Sequence, residues 1–197
     1  FCILLTTTLC LLGIFFAEEI TFLFSPGFAA DQSKLDLTVS LTRTMLPYII
    51  LVSVLALLSS ALNCLGYFAL PASAPAILNI SLIYSVLLFA SSFEKPVYAL
   101  AYAVLVGGLC ALIPQIVKLL KLGYKISLAS PFKSKAVKNL VFLMLPSILS
   151  ASVYQLMIFI NTILASLLQE GSVSWLYYAD RLFQFPLGVF SLALATA

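Results

Sequence analysis

Val97-Tyr-Ala-Leu-Ala-Tyr-Ala-Val-Leu-Val-Gly-Gly-Leu-Cys-Ala-Leu-Ile-Pro-Gln-Ile-Val-Lys-Leu-Leu120 is an apolar run long enough to cross a hydrocarbon core, and Lys118 and Lys121 mark its end. A bilayer core of about 30 Å needs about 20 apolar residues in a helix, whereas a spanning strand needs about ten with alternating polarity. The run is continuous and does not alternate, so it reads as a membrane helix. The same reading applies outward in both directions. The chain is 63% hydrophobic and 9% charged, with a mean hydropathy of +1.16, against roughly 45 to 50% apolar residues in soluble domains. The fold class expected is an all-α polytopic membrane protein.

Six spans are predicted: Phe1 to Phe24, Leu37 to Gly66, Ala74 to Ser91, Val97 to Leu120, Lys138 to Leu168 and Val173 to Ala197. The connectors alternate in charge. Glu18, Glu19, Asp31 and Asp36 flank the first, Glu94 sits in the third and Glu170 in the fifth. Lys118, Lys121, Lys125, Lys133, Lys135 and Lys138 crowd the fourth. Positive charge retained on the cytoplasmic side places the fourth connector inside. Alternation then puts the Asn63 to Pro71 turn inside, and Ser25 to Asp36, Ser91 to Pro96 and Gln169 to Ser172 outside. The lysines are read as this topology signal and not as a nucleic-acid surface.

Histidine is absent, and Cys2, Cys10, Cys64 and Cys110 stand alone in apolar context without ligand-like spacing. That argues against hydrolytic or metal-dependent chemistry and for cysteines acting as small buried hydrophobes. No catalytic residue, metal or cofactor is expected. The chain opens in mid-run at Phe1 without Met or a basic leader and stops in another run at Ala197, so it reads as a portion of a longer polytopic protein. Pro47, Pro71, Pro75, Pro114, Pro146 and Pro186 lie in or beside spans, each expected to free a carbonyl that needs another partner.

Charge within the last span is the main functional signal. A mid-membrane Arg or Asp costs roughly 2.5 to 3.5 kcal/mol on insertion scales, so Asp180 and Arg181 need a polar cavity or a partner. A helical projection gathers Ser174, Tyr177, Tyr178, Arg181, Gln184 and Gly188 on one face. Arg181 lies eight residues past Val173, about 12 Å from the outer end, too deep to reach that surface easily. Its planar fork suits bidentate capture of phosphate oxygens. Asp180 points about 100° away and is read as a partner for another helix. On the preceding span Ser147, Ser150, Tyr154 and Asn161 share a stripe with Gln155 at its border. Such residues, like Asn79, commonly hold membrane helices together. Arg43 lies about two turns into the second span, and a topological or structural role is expected for it.

The chain resembles the MurJ/MviN family of lipid II flippases, over essentially its whole length. The resemblance rests on Ser-Pro-Gly-Phe at Ser25 to Phe28, Met-Leu-Pro-Tyr at Met45 to Tyr48, and Phe-Ala-Leu-Pro-Ala-Ser-Ala-Pro-Ala-Ile-Leu-Asn-Ile at Phe68 to Ile80. It also rests on Asn-Thr-Ile-Leu-Ala-Ser at Asn161 to Ser166 and Gly-Ser-Val-Ser-Trp-Leu-Tyr-Tyr-Ala-Asp-Arg-Leu at Gly171 to Leu182. It implies a fourteen-helix, two-lobed transporter of the bacterial inner membrane with a central cationic cavity, of which this chain would hold helices three to eight. Residues 1–120 would end the N-terminal lobe, 121–137 would form the cytoplasmic interlobe linker, and 138–197 would begin the C-terminal lobe. The family's cavity arginine falls on Arg181. The family's other cationic residues lie mostly in its first two helices, and its last two form a hydrophobic groove; neither pair is in this chain, which is not expected to transport alone.

The function so implied is alternating-access movement of an undecaprenyl-diphosphate-linked disaccharide-pentapeptide, lipid II, from inner to outer leaflet. Arg181 would meet the diphosphate, with Asp180, Gln184, Tyr178, Gln155 and Asn161 as secondary candidates. Two rivals are a drug/cation antiporter of the same superfamily, disfavoured because Asp180 is the lone intramembrane carboxylate, and a scaffold that recruits cell-wall synthesis proteins.

Overall fold

The computed structural model describes residues 2–124 and 135–186. Among these the chain is helical throughout, with no strand: α1 Cys2–Phe15, α2 Ala17–Phe24, a 3-10 turn Pro26–Ala30, α3 Gln32–Met45, α4 Tyr48–Cys64, α5 Ala69–Phe89, a 3-10 turn Ala90–Ser92, α6 Val97–Lys121, α7 Lys135–Ser166 and α8 Ser172–Pro186. Four helical stretches are long and apolar enough to cross a membrane: Gln32–Cys64, Ala69–Ser92, Val97–Lys121 and Phe142–Ser166. A fifth is counted if α1 and α2 form one broken span, bent by 79° at Phe16. The protein is a multi-pass membrane protein. Of the six expected spans, the last is described only as far as Pro186, and the rest of its run, with Gly188, lies outside the described residues, as do 125–134 of the linker.

Several boundaries differ from the expected ones for local reasons. The second span begins at Gln32, before Leu37, because Asp31 caps it: its Oδ1 accepts from the amides of Ser33 at 3.0 Å and Lys34 at 3.2 Å. The helix then breaks between α3 and α4 at Pro47, which has no N–H to offer the Arg43 carbonyl. Exposed Arg43 sits in that last turn of α3, where a cation favours the carbonyl end of the helix dipole. The third span starts at Ala69 because Pro71 falls in its first turn, where a missing N–H breaks no helical bond. By contrast Pro75, Pro114 and Pro146 are inside their helices, as expected.

The described chain divides into two compact units, Phe1–Glu18 with Leu37–Val141, and Glu19–Asp36 with Phe142–Ala197. In the first, α6 is the packing centre, lying against α4 and α5. It buries Ala99, Ala101, Ala103, Gly107, Gly108, Ala111, Leu112, Gln115 and Leu119. The small residues allow close approach. A Cβ at Gly107 would lie 2.9 Å from Leu78 Cδ1, and one at Gly108 would lie 2.9 Å from the Tyr48 ring. Polar ties complete the unit: Ser85 Oγ donates to the Ala99 carbonyl at 2.6 Å, Tyr98 OH to Ser40 Oγ at 2.7 Å, and Ser59 Oγ to Gln115 Oε1 at 3.0 Å.

The second unit is held differently. Phe24 meets Phe159 edge-on with centroids 4.6 Å apart. Gly27 N–H points at Ser166 Oγ at 3.3 Å, and Lys34 Nζ pairs with Glu170 Oε1 at 3.2 Å. Gly171, with φ +94, turns the chain from α7 into α8, and the Trp175 amide donates to its carbonyl at 2.9 Å.

Candidate functional site

Helices α7 and α8 line an open cavity of about 400 Å³. From α7 come Tyr154, Ile158, Asn161 and Thr162, and from α8 come Val173, Leu176, Tyr177, Asp180, Arg181 and Gln184. Both sets follow three-and-four spacing, so each is one continuous helix face. Leu176, Val173 and Ile158 make the wall partly apolar, while four α8 side chains give it hydrogen-bonding capacity at successive turns.

Arg181 lies on this wall and is exposed. Its Nε donates to Tyr177 OH at 3.1 Å, and its guanidinium carbon sits 5.0 Å from the centre of the Tyr177 ring. A neutral hydroxyl and a ring face therefore hold the side chain. Among the described residues no carboxylate lies within ion-pair distance of it. Asp180 accepts from Gln184 Nε2 at 2.6 Å, and the same nitrogen reaches Tyr154 OH on α7 at 3.2 Å. The expected pairing of Asp180 with another helix is thus replaced by an amide on its own helix that relays to Tyr154. The short Asp180 contact is a charge-assisted bond to a neutral donor, which leaves the carboxylate's charge in place.

The wet face of α8 is rotated relative to the projected one. It is centred on Val173, Tyr177, Asp180 and Gln184, and Asp180 belongs to it. Tyr178 is not on the cavity wall; it stands about 100° round the helix and meets the Tyr177 ring edge-on at 6.0 Å. Ser174 faces a separate polar pocket with Lys34 and Glu170. On α7, Asn161 lines the cavity and Gln155 does not, the wall running through its neighbour Tyr154. Tyr177 is the residue whose part was not foreseen: its spacing of four from Arg181 was the signal, since a tyrosine one turn before an arginine can both stack and accept. Gln115 is a second residue that the apolar run does not single out. It is fully buried, and its Nε2 has no hydrogen-bond partner among the described residues.

The family described as lipid II flippase MurJ matches residues 1–197, the full length of this chain. The chain belongs to the lipid II flippase MurJ family. It is 41% identical over 188 residues to a probable lipid II flippase MurJ of Buchnera aphidicola from Acyrthosiphon pisum, covering 95% of this chain and 37% of that protein. The lipid II flippase MurJ of Burkholderia cenocepacia is 38% identical over 192 residues, covering 95% of this chain and 37% of its own. A probable lipid II flippase MurJ of Vibrio cholerae is 34% identical over 199 residues, 98% of this chain and 38% of its own. The chain thus spans well under half the length of these MurJ relatives. The polar positions of α7 and α8 just described fall within the matched region.

Proposed function

We propose that this chain is the central part of a flippase that carries lipid II, an undecaprenyl-diphosphate-linked disaccharide-pentapeptide, from the inner to the outer leaflet of the bacterial inner membrane. One observation carries the proposal: in a chain of the MurJ family, Arg181 lines an open cavity with a hydroxyl and a ring as its partners and, among the described residues, no carboxylate within ion-pair distance. Such a cation is charged, held in place and unspent. A diphosphate cannot cross hydrocarbon with its water, and a guanidinium in a cavity replaces that water with charge-assisted bonds. The partly apolar wall from Leu176 and Val173 suits the lipid portion next to the headgroup.

In this reading residues 1–120 end the N-terminal lobe, 121–137 link the lobes on the cytoplasmic side and 138–197 begin the C-terminal lobe. Rocking of the lobes gives alternating access. Gln184 spans α8 and α7 through Asp180 and Tyr154, and so sets the cavity width. Asn161 and Thr162 supply further polar contacts to the sugar-peptide end. With the cell interior negative, outward movement of anionic charge gains about 2.3 kcal/mol per charge per 100 mV. The protein is a transporter and not an enzyme, and needs no cofactor.

The test is complementation by the full-length protein. Arg181→Ala is expected to abolish support of cell-wall growth at normal expression, with lipid II accumulating in the inner leaflet. Normal growth would remove Arg181 from the mechanism. Growth failure with unimpaired lipid II translocation would favour the scaffold reading, and proton- or sodium-coupled drug export lost on Asp180→Asn would favour the antiporter.

A further inference from the structure

Asp180 and Arg181 carry opposite charges, are both exposed and both line the α7–α8 cavity, yet no ion pair joins them. Each is anchored at one end only. Arg181 gives Nε to Tyr177 OH at 3.1 Å, which leaves the two terminal nitrogens of its fork without a partner among the described residues. Asp180 takes Gln184 Nε2 on Oδ2 at 2.6 Å, and its Oδ1 has no donor among the described residues. Consecutive residues on a helix are set about 100° round and about 1.5 Å along the axis. One wall therefore presents a donor fork and, beside it, a charged acceptor.

A carboxylate is out of place in a cavity meant for any anion, because like charges at close range repel. It makes sense where the anion brings its own hydrogen-bond donor next to the charge. A glycosylated diphosphate lipid is such a ligand: its phosphates suit the fork, and the hydroxyl and amide groups of its first sugar can donate to the carboxylate. The bare diphosphate lipid is the opposite case. It has no sugar donor, and its terminal phosphate is a monoester, which takes up a further charge near pH 6. Asp180 would oppose it twice, by leaving a desolvated acceptor unmet and by charge repulsion. A carrier meets both lipids, since glycosyl transfer from the first leaves the second on the same tail.

We propose that Asp180 is the specificity-determining residue of this cavity: its free Oδ1 accepts from the first sugar of a glycosylated diphosphate lipid whose phosphates lie on Arg181, and its charge turns away the same lipid without the sugar. The inference rests on the flippase reading for its ligand and adds to it the sorting of loaded from unloaded carrier lipid.

The experiment titrates three lipids in detergent micelles against the full-length protein: lipid II, undecaprenyl diphosphate, and undecaprenyl diphosphate bearing the first sugar with its peptide but not the second sugar. The unaltered protein is expected to bind lipid II about tenfold or more tighter than undecaprenyl diphosphate, as a site with an acceptor to satisfy rejects a ligand lacking the donor. The monosaccharide form should bind like lipid II, because the first sugar is the one within reach of Asp180. Binding like the bare diphosphate would overturn the proposal without any substitution, and so without any question of folding. Asp180→Asn keeps the shape and an acceptor oxygen but not the charge, and should narrow the preference severalfold by tightening undecaprenyl diphosphate. Asp180→Ala should narrow it further by weakening lipid II as well. A preference unchanged in both variants overturns the proposal. Gln184→Ala should shift both lipids alike and keep the preference; a narrowing equal to that of Asp180→Ala would mean that Asp180 acts only by holding Gln184, and would also overturn it. Arg181→Ala separates the two readings: it should weaken all three lipids together. If that loss is seen but the unaltered protein does not discriminate, the sorting role falls and the flippase reading stands; if none of the lipids binds the unaltered protein, both fall.

Discussion

Two glutamines in this molecule sit in opposite surroundings. Gln115 on α6 is fully buried, with Ser59 donating to its carbonyl oxygen and its amide nitrogen without a partner among the described residues. Gln184 on α8 opens on a cavity, and its amide nitrogen serves Asp180 and Tyr154 together. The first belongs to a helix whose small residues let α4 and α5 close around it, the second to a helix pair that leaves room between its polar faces. The difference teaches that polarity in a membrane helix is not itself a mark of function. What distinguishes the two is whether neighbouring side chains are small enough to shut the space.

The comparison breaks most readily at Arg181. Arg181→Ala removes charge-assisted bonds of about 1.5 to 3 kcal/mol each, so lipid II translocation by the full-length protein should fall roughly 10- to 100-fold by that conversion. Arg181→Lys keeps the charge without the fork and should recover only part of it. Equal rates for Ala and wild type in a vesicle accessibility assay would contradict the cavity role. Next comes the packed side. Gly108→Leu drives a side chain into the Tyr48 ring and should lower stability by about 1 to 3 kcal/mol. A thermal unfolding scan in detergent measures this, and an unchanged midpoint would show that α6 is not closely packed.

Tyr177→Phe gives a smaller effect that sharpens the contrast. It keeps the ring under Arg181 and removes the hydroxyl, a bond of about 0.5 to 1.5 kcal/mol, so the translocation rate should drop a few-fold while the unfolding midpoint stays put. A loss as large as that of Arg181→Ala would make the hydroxyl itself a cargo contact. The smallest effect is expected at Gln115→Leu. It deletes an amide nitrogen without a partner among the described residues together with the oxygen that accepts from Ser59, so the two effects oppose each other, translocation should be unchanged and stability should stay within about 1 kcal/mol. A large loss of stability would mean that the amide is satisfied in the membrane.

Much of the fold was legible because membrane helices write themselves as length and hydropathy. Val97–Lys121 matches the apolar run to within a residue. The first helix of the 32–64 stretch was less legible, since Gln32, Ser33, Lys34 and Asp36 look like a connector and become helical through the Asp31 cap. At the site, sequence singles out Arg181 by its cost in lipid, and a helical projection brings Gln184 to the same face. It could not orient that face to within one residue, which is why Asp180 lines the cavity and Tyr178 does not. Nor could composition reveal that the Gly27 N–H meets the hydroxyl of Ser166, a residue 139 positions away.

The stacking of Arg181 on Tyr177 has a consequence for turnover. An arginine free in a cavity would lose much rotamer freedom on meeting an anion, whereas this one is already laid on a ring and tethered through Nε. Preorganisation of this kind speeds capture. In the proposed role the ring and hydroxyl would reclaim the guanidinium as the anion departs, which would also keep binding shallow enough for release, and a carrier handing over its cargo at every cycle would need both.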